Sequence, residues 1–152
     1  MSAAAISDGF LGFFKGLAAF QRRTAVRIPL AVVSVAAGFP SPADDYIEKR
    51  LDFNDLIVED GPATFVAKVT GESMRDAGIL DGDLVVINRA RTAVSGDIVV
   101  ACVDGEFTIK RYFDRGRDIL LKAANPDFAD IVVAEGQQFE VWGVIRRVIR
   151  IF

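Results

Sequence analysis

DIVVACVDGEFTIKRY, residues 97–112, places two runs rich in β-branched and aromatic residues on either side of Asp104-Gly105. An Asp-Gly pair between two such runs is a strong signal for a β-hairpin with a two-residue turn. Similar short runs, each next to turn residues, occur at 64–69, 83–89, 118–124 and 139–152. Together the runs predict five or six strands and a mainly β fold, a compact curled sheet or barrel.

One short helix is predicted before this β body. The segment SPADDYIEKRLD, residues 41–52, offers Ser41 as N-cap and Pro42 at the first helical position, followed by two acidic residues in the first turn. Residues 1–21 are rich in Ala, Gly and Phe and show no clear strand period. We interpret them as part of an N-terminal arm.

The closing run, residues 139–152, is apolar on both faces of a predicted strand. Strict alternation places Phe139, Val141, Ile145, Ile149 and Ile151 on one face and Trp142, Val144, Val148 and Phe152 on the other. Such a strand is either central in its sheet or covered by a second subunit. We favour a homodimer.

Composition restricts the chemistry that 152 residues of this kind can perform. Histidine is absent, which excludes Ser-His-Asp and Cys-His nucleophile pairs and every histidine-containing zinc site. A hydrolase of this composition would need a lysine, a carboxylate or a terminal amine as its base. The single cysteine, Cys102, lies in an apolar run and is interpreted as a small buried residue in a reducing compartment.

Charge is unevenly distributed along the chain. Residues 1–37 carry four basic residues and one acidic residue, a balance of +3, and the remainder carries 14 basic and 20 acidic residues, a balance of −6. An acidic body argues against direct DNA binding, because phosphate contacts need clustered Lys and Arg. Residues 21–37 share a basic start, an apolar stretch and small closing residues with signal peptides, but the segment starts late and Pro29 interrupts its apolar run.

Ser73, in TGESMRDAG (residues 70–78), is the candidate nucleophile. It follows a glycine turn and precedes a segment able to form one helical turn, so it either caps that turn or lies beside free N–H groups that could stabilise an oxyanion. Lys110 shares a strand face with Thr108 by alternation. At a pKa of about 10.4 only about one lysine in 2,500 is neutral at pH 7, and burial would have to lower that pKa by about three units.

Three separated stretches, taken with the Ala37-Gly38 bond, carry a family resemblance. They are FPSPADDYIEKRLDFNDL (39–56), GESMRDAGILDGDLVVI (71–87) and GDIVVACVDGEFTIKRY (96–112). The set resembles the UmuD branch of the LexA-type self-cleaving proteases over roughly residues 28–152. The resemblance implies that Ser73 is the nucleophile and Lys110 the general base, with the N–H groups of Glu72 and Ser73 as oxyanion donors.

The same resemblance implies self-cleavage between Ala37 and Gly38. The cut would divide the chain into an N-terminal arm, residues 1–37, and a protease and dimerisation domain, residues 38–152. Neither a cofactor nor a metal is implied. A RecA filament on single-stranded DNA would stimulate cleavage, and the dimeric product would serve a UmuC-type translesion DNA polymerase in the cytoplasm.

Departures from the family leave alternatives open. LexA-type repressors carry a winged helix-turn-helix domain before the cut, and the 37 residues here show no two-helix pattern, so we do not expect repression of DNA. The chain could instead be an uncleaved dimeric regulator of a polymerase or of RecA. It could also be a signal-peptidase-like enzyme with the same dyad, which would need a membrane anchor.

Overall fold

The computed structural model describes Ala18–Ala19, Arg27–Ala31 and residues 48–152. These residues form two compact units, one made of Ala18–Ala19 with residues 60–152 and the other of residues 27–31 with 48–59. The predicted cleavage site, Ala37 and Gly38, lies outside the described residues. Where the structure describes the chain, no helix is long and apolar enough to cross a membrane.

The larger unit is built on one antiparallel sheet, so the predicted mainly β fold class is confirmed. Within the described part of the chain this sheet has eight strands, in the spatial order β1-β4-β5-β10-β6-β7-β8-β9. The strands are β1 (Ala18–Ala19), β4 (Thr64–Lys68), β5 (Leu84–Asn88), β6 (Ile98–Val103), β7 (Glu106–Asp114), β8 (Ile119–Lys122), β9 (Ile131–Val133) and β10 (Phe139–Ile149).

The predicted hairpin between β6 and β7 is confirmed. Val103 pairs with Glu106, and the two turn residues between them, Asp104 and Gly105, have φ angles of 50° and 84°. Positive φ at both central positions is the geometry that follows the right-handed twist of the flanking strands. This hairpin sets the register of β7 and places Lys110 opposite Val99.

β10 lies between β5 and β6, so of the two alternatives for the closing run the structure shows a central strand, and the favoured homodimer stays a prediction. The alternation predicted for its side chains is wrong, because the pairing register shifts between Val141 and Gly143 and again further along the strand. Trp142 therefore shares a core cluster with Ile145, whereas Val141 packs with Val144 on the other side. A bulge of this kind inserts one residue and reverses the phase of the residues that follow.

Two hydrophobic clusters form the core of this unit. Alternation along β6 separates them, since Val100 belongs to the first and Val99 and Ala101 belong to the second. The first cluster also includes Met74 and Ile79, which lie on either side of a short 3-10 turn, Arg75–Ala77. The segment that carries Ser73 is therefore anchored to the sheet by buried side chains.

The smaller unit contains β2 (Arg27–Ala31) and β3 (Glu48–Asp52), an antiparallel pair, followed by the short helix α1 (Phe53–Ile57). Asp52 caps α1, its carboxylate accepting from the Asn54 N–H at 2.9 Å. The helix predicted for residues 41–52 is wrong over residues 48–52, where pairing with β2 imposes an extended backbone. The proposed cap at Ser41 lies outside the described residues.

Candidate active site

Ser73 lies in a turn that a glycine and an aspartate hold in shape. Gly71 has a φ of 92°, in the left-handed region that favours glycine, and its N–H donates to Asp81 Oδ1 at 2.7 Å. The 3-10 turn that follows has Met74 as its N-cap residue, without a side-chain capping bond. Ser73 therefore does not cap that turn, and its hydroxyl is available to another partner.

An ion pair between a buried aspartate and an exposed arginine fixes the end of the same segment. Asp83 is 3% exposed and accepts from the Leu80 N–H at 2.7 Å and from two nitrogens of Arg150, at 2.7 and 2.6 Å. The hydrogen bond from Arg150, followed by that from Leu80, lowers the pKa of Asp83 to about 2. Arg150 also donates to the Gly78 carbonyl at 2.9 Å, so the same side chain contacts the residue that ends the 3-10 turn.

The structure brings Ser73 and Lys110 into direct contact. Lys110 Nζ lies 2.9 Å from Ser73 Oγ, 2.8 Å from Thr108 Oγ1 and 3.1 Å from the Ile109 carbonyl oxygen. The lysine is 6% exposed, although it lies on a strand where a lysine is ordinarily solvated. Two residues that were matched by sequence alone are thus partners in one hydrogen bond.

Three oxygen partners suit both protonation states of this amine. An ammonium group has three donors and can donate to all three oxygens. A neutral amine has two N–H donors, for Thr108 and the Ile109 carbonyl, and one lone pair that can accept the hydroxyl proton of Ser73. Burial lowers the pKa of Lys110, and the negative charge of Asp130 opposes this shift. The environment therefore favours the neutral form that a general base needs.

The predicted oxyanion donors are free of internal partners. Neither the Glu72 nor the Ser73 N–H donates a hydrogen bond within the part of the chain that the structure describes. The carbonyls of the same two residues are engaged, because Asn125 Nδ2 donates to Glu72 O at 2.9 Å and the Ala124 N–H donates to Ser73 O at 2.8 Å. The arrangement leaves two backbone donors near the hydroxyl for a developing negative charge.

An open cleft of about 440 Å³ lies beside the loop that follows β8. Asn125 and Ala124, which hold the Ser73 turn, form part of its wall together with Asp130, whereas Ser73 and Lys110 do not line it. Phe128, 45% exposed, supplies an apolar surface. The lining residues are Asp76, Lys122, Ala123, Ala124, Asn125, Pro126, Phe128 and Asp130.

Residues that could hold a metal are not grouped in the described ranges, where no three His, Cys, Asp or Glu side chains come together. Cys102 is a free thiol and is half-buried, so the interpretation of a fully buried residue is wrong. The chemistry available at the Ser73–Lys110 contact is that of a hydroxyl, an amine and backbone N–H groups.

Sequence reasoning missed two residues of this site. Asn125 could have been noticed as the start of an Asn-Pro-Asp turn signal, although nothing in that signal indicates contact with the Ser73 turn. Asp130 had no signal, because its influence on Lys110 depends on the fold of the loop after β8. Thr108 was placed on the face of Lys110 by alternation, and the contact between them agrees with that placement.

Comparison with known proteins adds a family to this geometry. A protein-family model described as Peptidase S24-like matches residues 29–146. The chain is similar to Protein MucA of Salmonella typhimurium, 40% identical over 119 residues that cover 78% of this chain and 81% of that protein. It is also similar to Protein ImpA of Salmonella typhimurium, 42% identical over 122 residues, covering 80% and 82%. A LexA repressor of Polaromonas naphthalenivorans (strain CJ2) is 43% identical over 130 residues, which span 86% of this chain and 55% of the repressor.

Proposed function

The chain belongs to the Peptidase S24-like family, and we propose that it is a UmuD-like, self-cleaving serine protease of the SOS response. The resemblance to the LexA-type proteases predicted from the sequence is confirmed by its relatives. One observation carries the proposed chemistry. Ser73 Oγ lies 2.9 Å from Nζ of Lys110, a lysine that is only 6% exposed. Ser73 is the nucleophile and Lys110 is its general base.

The first half of the reaction forms an ester. Neutral Lys110 takes the proton of the Ser73 hydroxyl as Oγ bonds to the carbonyl carbon of Ala37. The carbonyl oxygen becomes an oxyanion and accepts from the N–H groups of Glu72 and Ser73. When the tetrahedral intermediate collapses, the bond to Gly38 breaks and the departing amine takes the proton from Lys110. The products are the Ala37 ester of Ser73 and a free N-terminus at Gly38.

The second half restores the enzyme with water. Lys110, neutral again, removes a proton from a water molecule that attacks the ester carbonyl. Collapse of the second intermediate breaks the bond to Ser73 Oγ, which recovers its proton from Lys110. Ala37 is left with a carboxylic acid, which releases its proton to water. The amine thus transfers one proton in each direction in each half-reaction, which requires a pKa near the working pH.

The substrate is a segment of the chain itself. Small side chains at Ala37 and Gly38 suit a narrow cleft, and Pro40 and Pro42 stiffen the segment just beyond the cut. A tethered substrate has a high effective concentration, so the site needs little binding affinity of its own. The rate is then set by the fraction of time that the segment occupies the cleft, which a RecA filament on single-stranded DNA would increase.

Cleavage separates the arm, residues 1–37, from residues 38–152. The remainder acts as a homodimer in the cytoplasm and as an accessory subunit of an error-prone, UmuC-type translesion polymerase. Support for this part of the proposal comes from the family match and from relatives that share about four-fifths of their length with the chain. No cofactor enters the proposed reaction.

Mass spectrometry of the purified full chain tests the proposal. We expect a fragment that begins at Gly38 after incubation at alkaline pH, which neutralises lysine, and after incubation with RecA, nucleotide and single-stranded DNA at neutral pH. Ser73→Ala and Lys110→Ala should remain intact under both conditions. A wild-type chain that survives both conditions would reject the protease and favour an uncleaved dimeric regulator.

A further inference from the structure

Asn125 is a buried polar residue to which the proposed reaction assigns no role. Its side chain is 4% exposed, and it lies in the loop after β8, 53 residues from Glu72 in the sequence. Asn125 Nδ2 donates to the carbonyl oxygen of Glu72 at 2.9 Å, and Oδ1 accepts from the Asp127 N–H at 3.0 Å. Arg75 Nη2 also lies 3.5 Å from Oδ1. An acceptor faces Nδ2 and donors face Oδ1, so the orientation of the amide is fixed by chemistry.

The peptide that Asn125 contacts is the peptide that carries one of the two proposed oxyanion donors. The carbonyl of Glu72 and the N–H of Ser73 belong to the same planar trans unit and point in opposite directions. A hydrogen bond that holds the carbonyl toward Asn125 therefore directs the Ser73 N–H away from it, toward the opposite side of the turn. The neighbouring peptide is held in the same way, since the Ala124 N–H donates to Ser73 O at 2.8 Å.

We propose that Asn125 is a positioning residue for the oxyanion site, fixing the peptide plane that presents the Ser73 N–H to the reacting carbonyl. The inference rests on the proposed function, because it assigns a role within that reaction. Asn125 acts without touching the substrate carbonyl. The Arg75 N–H also donates to Glu72 O, at 3.1 Å, so the loss of Asn125 loosens the peptide and does not release it completely.

The first test is the self-cleavage rate of the full chain as a function of pH. Asn125→Ala should lower the plateau rate by about ten- to a hundredfold, less than the loss of a direct oxyanion donor, which costs about 10²–10³. The midpoint of the profile should stay in place, because the contacts of Lys110 are untouched. An unchanged plateau, or a loss that a shifted midpoint fully explains, overturns the proposal.

Two further variants control for misfolding. Asp127→Ala keeps the backbone N–H that donates to Asn125 Oδ1 and removes only an exposed side chain. This variant should therefore cleave at the wild-type rate. Asn125→Asp keeps the shape and the acceptor but loses the donor to Glu72, so it should lose rate as Asn125→Ala does. Full activity of Asn125→Asp overturns the proposal even if Asn125→Ala is poorly folded.

A second test separates the oxyanion site from the nucleophile. A Val-Ala-boroalanine peptide, which matches residues 35–37, forms a tetrahedral adduct on Ser73 Oγ, and Asn125→Ala should weaken its binding about as much as it slows cleavage. Iodoacetamide alkylation of S73C forms no oxyanion, so adding Asn125→Ala should not change that rate, read by peptide mass spectrometry at position 73. A parallel loss in both assays overturns the proposal.

The boronic acid also distinguishes this inference from the proposed function. If the wild-type chain never cleaves itself but still binds the peptide boronic acid in an Asn125-dependent manner, the proposed function fails and the positioning role stands. If cleavage occurs and neither cleavage nor adduct formation depends on Asn125, the proposed function stands and the positioning role fails.

Discussion

Ser73 Oγ and Lys110 Nζ, 37 residues apart in the chain, are joined by a hydrogen bond of 2.9 Å. The serine comes from a turn before β5 and the lysine from β7, and buried side chains anchor both segments to the same sheet. Burial has a thermodynamic consequence, because desolvation penalises the charged form of the amine. The buried Lys110 amine therefore favours catalysis and lowers the free energy of unfolding.

Lys110→Met should abolish cleavage and remove a pH dependence of stability. The folded-state pKa of Lys110 is lowered from its usual 10.5, so between the lowered value and 10.5 the unfolded chain binds more protons than the folded chain. The free energy of unfolding should therefore rise with pH through that window, and the rise should disappear in Lys110→Met. Urea denaturation in a Ser73→Ala background measures it without self-cleavage.

The control for this measurement is Lys68→Met, since Lys68 is an exposed lysine on β4. Its loss should leave the rise with pH intact. An identical pH dependence in the Lys110→Met and Lys68→Met variants would show that Lys110 is not desolvated.

Asp130→Asn should make self-cleavage faster at neutral pH. The charge of Asp130 raises the pKa of Lys110 against the effect of burial, so its removal lowers that pKa and increases the neutral fraction of the amine. Asparagine keeps the oxygen that accepts from the Ala123 N–H at 2.9 Å. An exposed charge pair is worth about 0.2–1 kcal/mol, so we expect a gain of about 1.5- to 5-fold.

The rate of this variant should be compared with wild type across a pH series at low and high salt. The midpoint should move to lower pH, and the difference should shrink at high salt because the charge is exposed. Asp127→Asn, an exposed carboxylate of the same loop, should behave as wild type. A midpoint that moves upward in Asp130→Asn would contradict the electrostatic account of Lys110.

Thr108→Val should slow cleavage by about two- to tenfold, because one hydrogen bond between neutral groups is worth about 0.5–1.5 kcal/mol. The hydroxyl of Thr108 holds Nζ at 2.8 Å, and without it the amine can turn away from Ser73. Thr108→Ser keeps the hydroxyl and should restore most of the rate. Equal activity of the valine and serine variants would remove Thr108 from the account.

Arg150→Met should destabilise the protein at neutral pH and flatten its acid dependence. Asp83 has a pKa of about 2 in the folded chain, against the usual 3.8, so the stability that it contributes is present above pH 3.8 and is lost as the pH falls toward 2. Without Arg150, whose hydrogen bond is the largest cause of the shift, most of that dependence should vanish. Denaturation curves between pH 2 and 7 measure it, and parallel curves for the two proteins would contradict this.

Alternating or turn-bounded runs predicted most of the sheet, because the larger unit buries residues on both faces of its strands. The Asp104-Gly105 turn was predictable for a local reason, since only certain residues tolerate positive φ at both positions. β9 was not predicted from the sequence, because it is only three residues long. The bulges of β10 were not predictable, because they depend on contacts with neighbouring strands. At the first bulge the backbone lies so close to β5 that a Cβ on Gly143 would be 2.5 Å from Ile87 Cγ2.

Long-range pairing overrode a local signal at residues 48–52. The N-cap pattern at Ser41 predicted a helix there, but β3 pairs with β2 over five residues, and the helix begins only at Phe53. Among the site residues, Ser73 and Lys110 were identified by motif, whereas their proximity is a property of the fold. Asn125 illustrates the limit most clearly, because the two ends of its hydrogen bond to Glu72 are 53 residues apart.

Titration of the Lys110 side chain by NMR tests the central claim most directly. Lysine labelled with carbon-13 at Cε, in a Ser73→Ala chain that stays uncut, gives one signal for each of five lysines, and Lys110→Met assigns the one of interest. We predict that the Lys110 signal titrates below the usual lysine value of 10.5, because burial penalises the charged amine. A Lys110 signal that titrates at 10.5 or above would contradict the account.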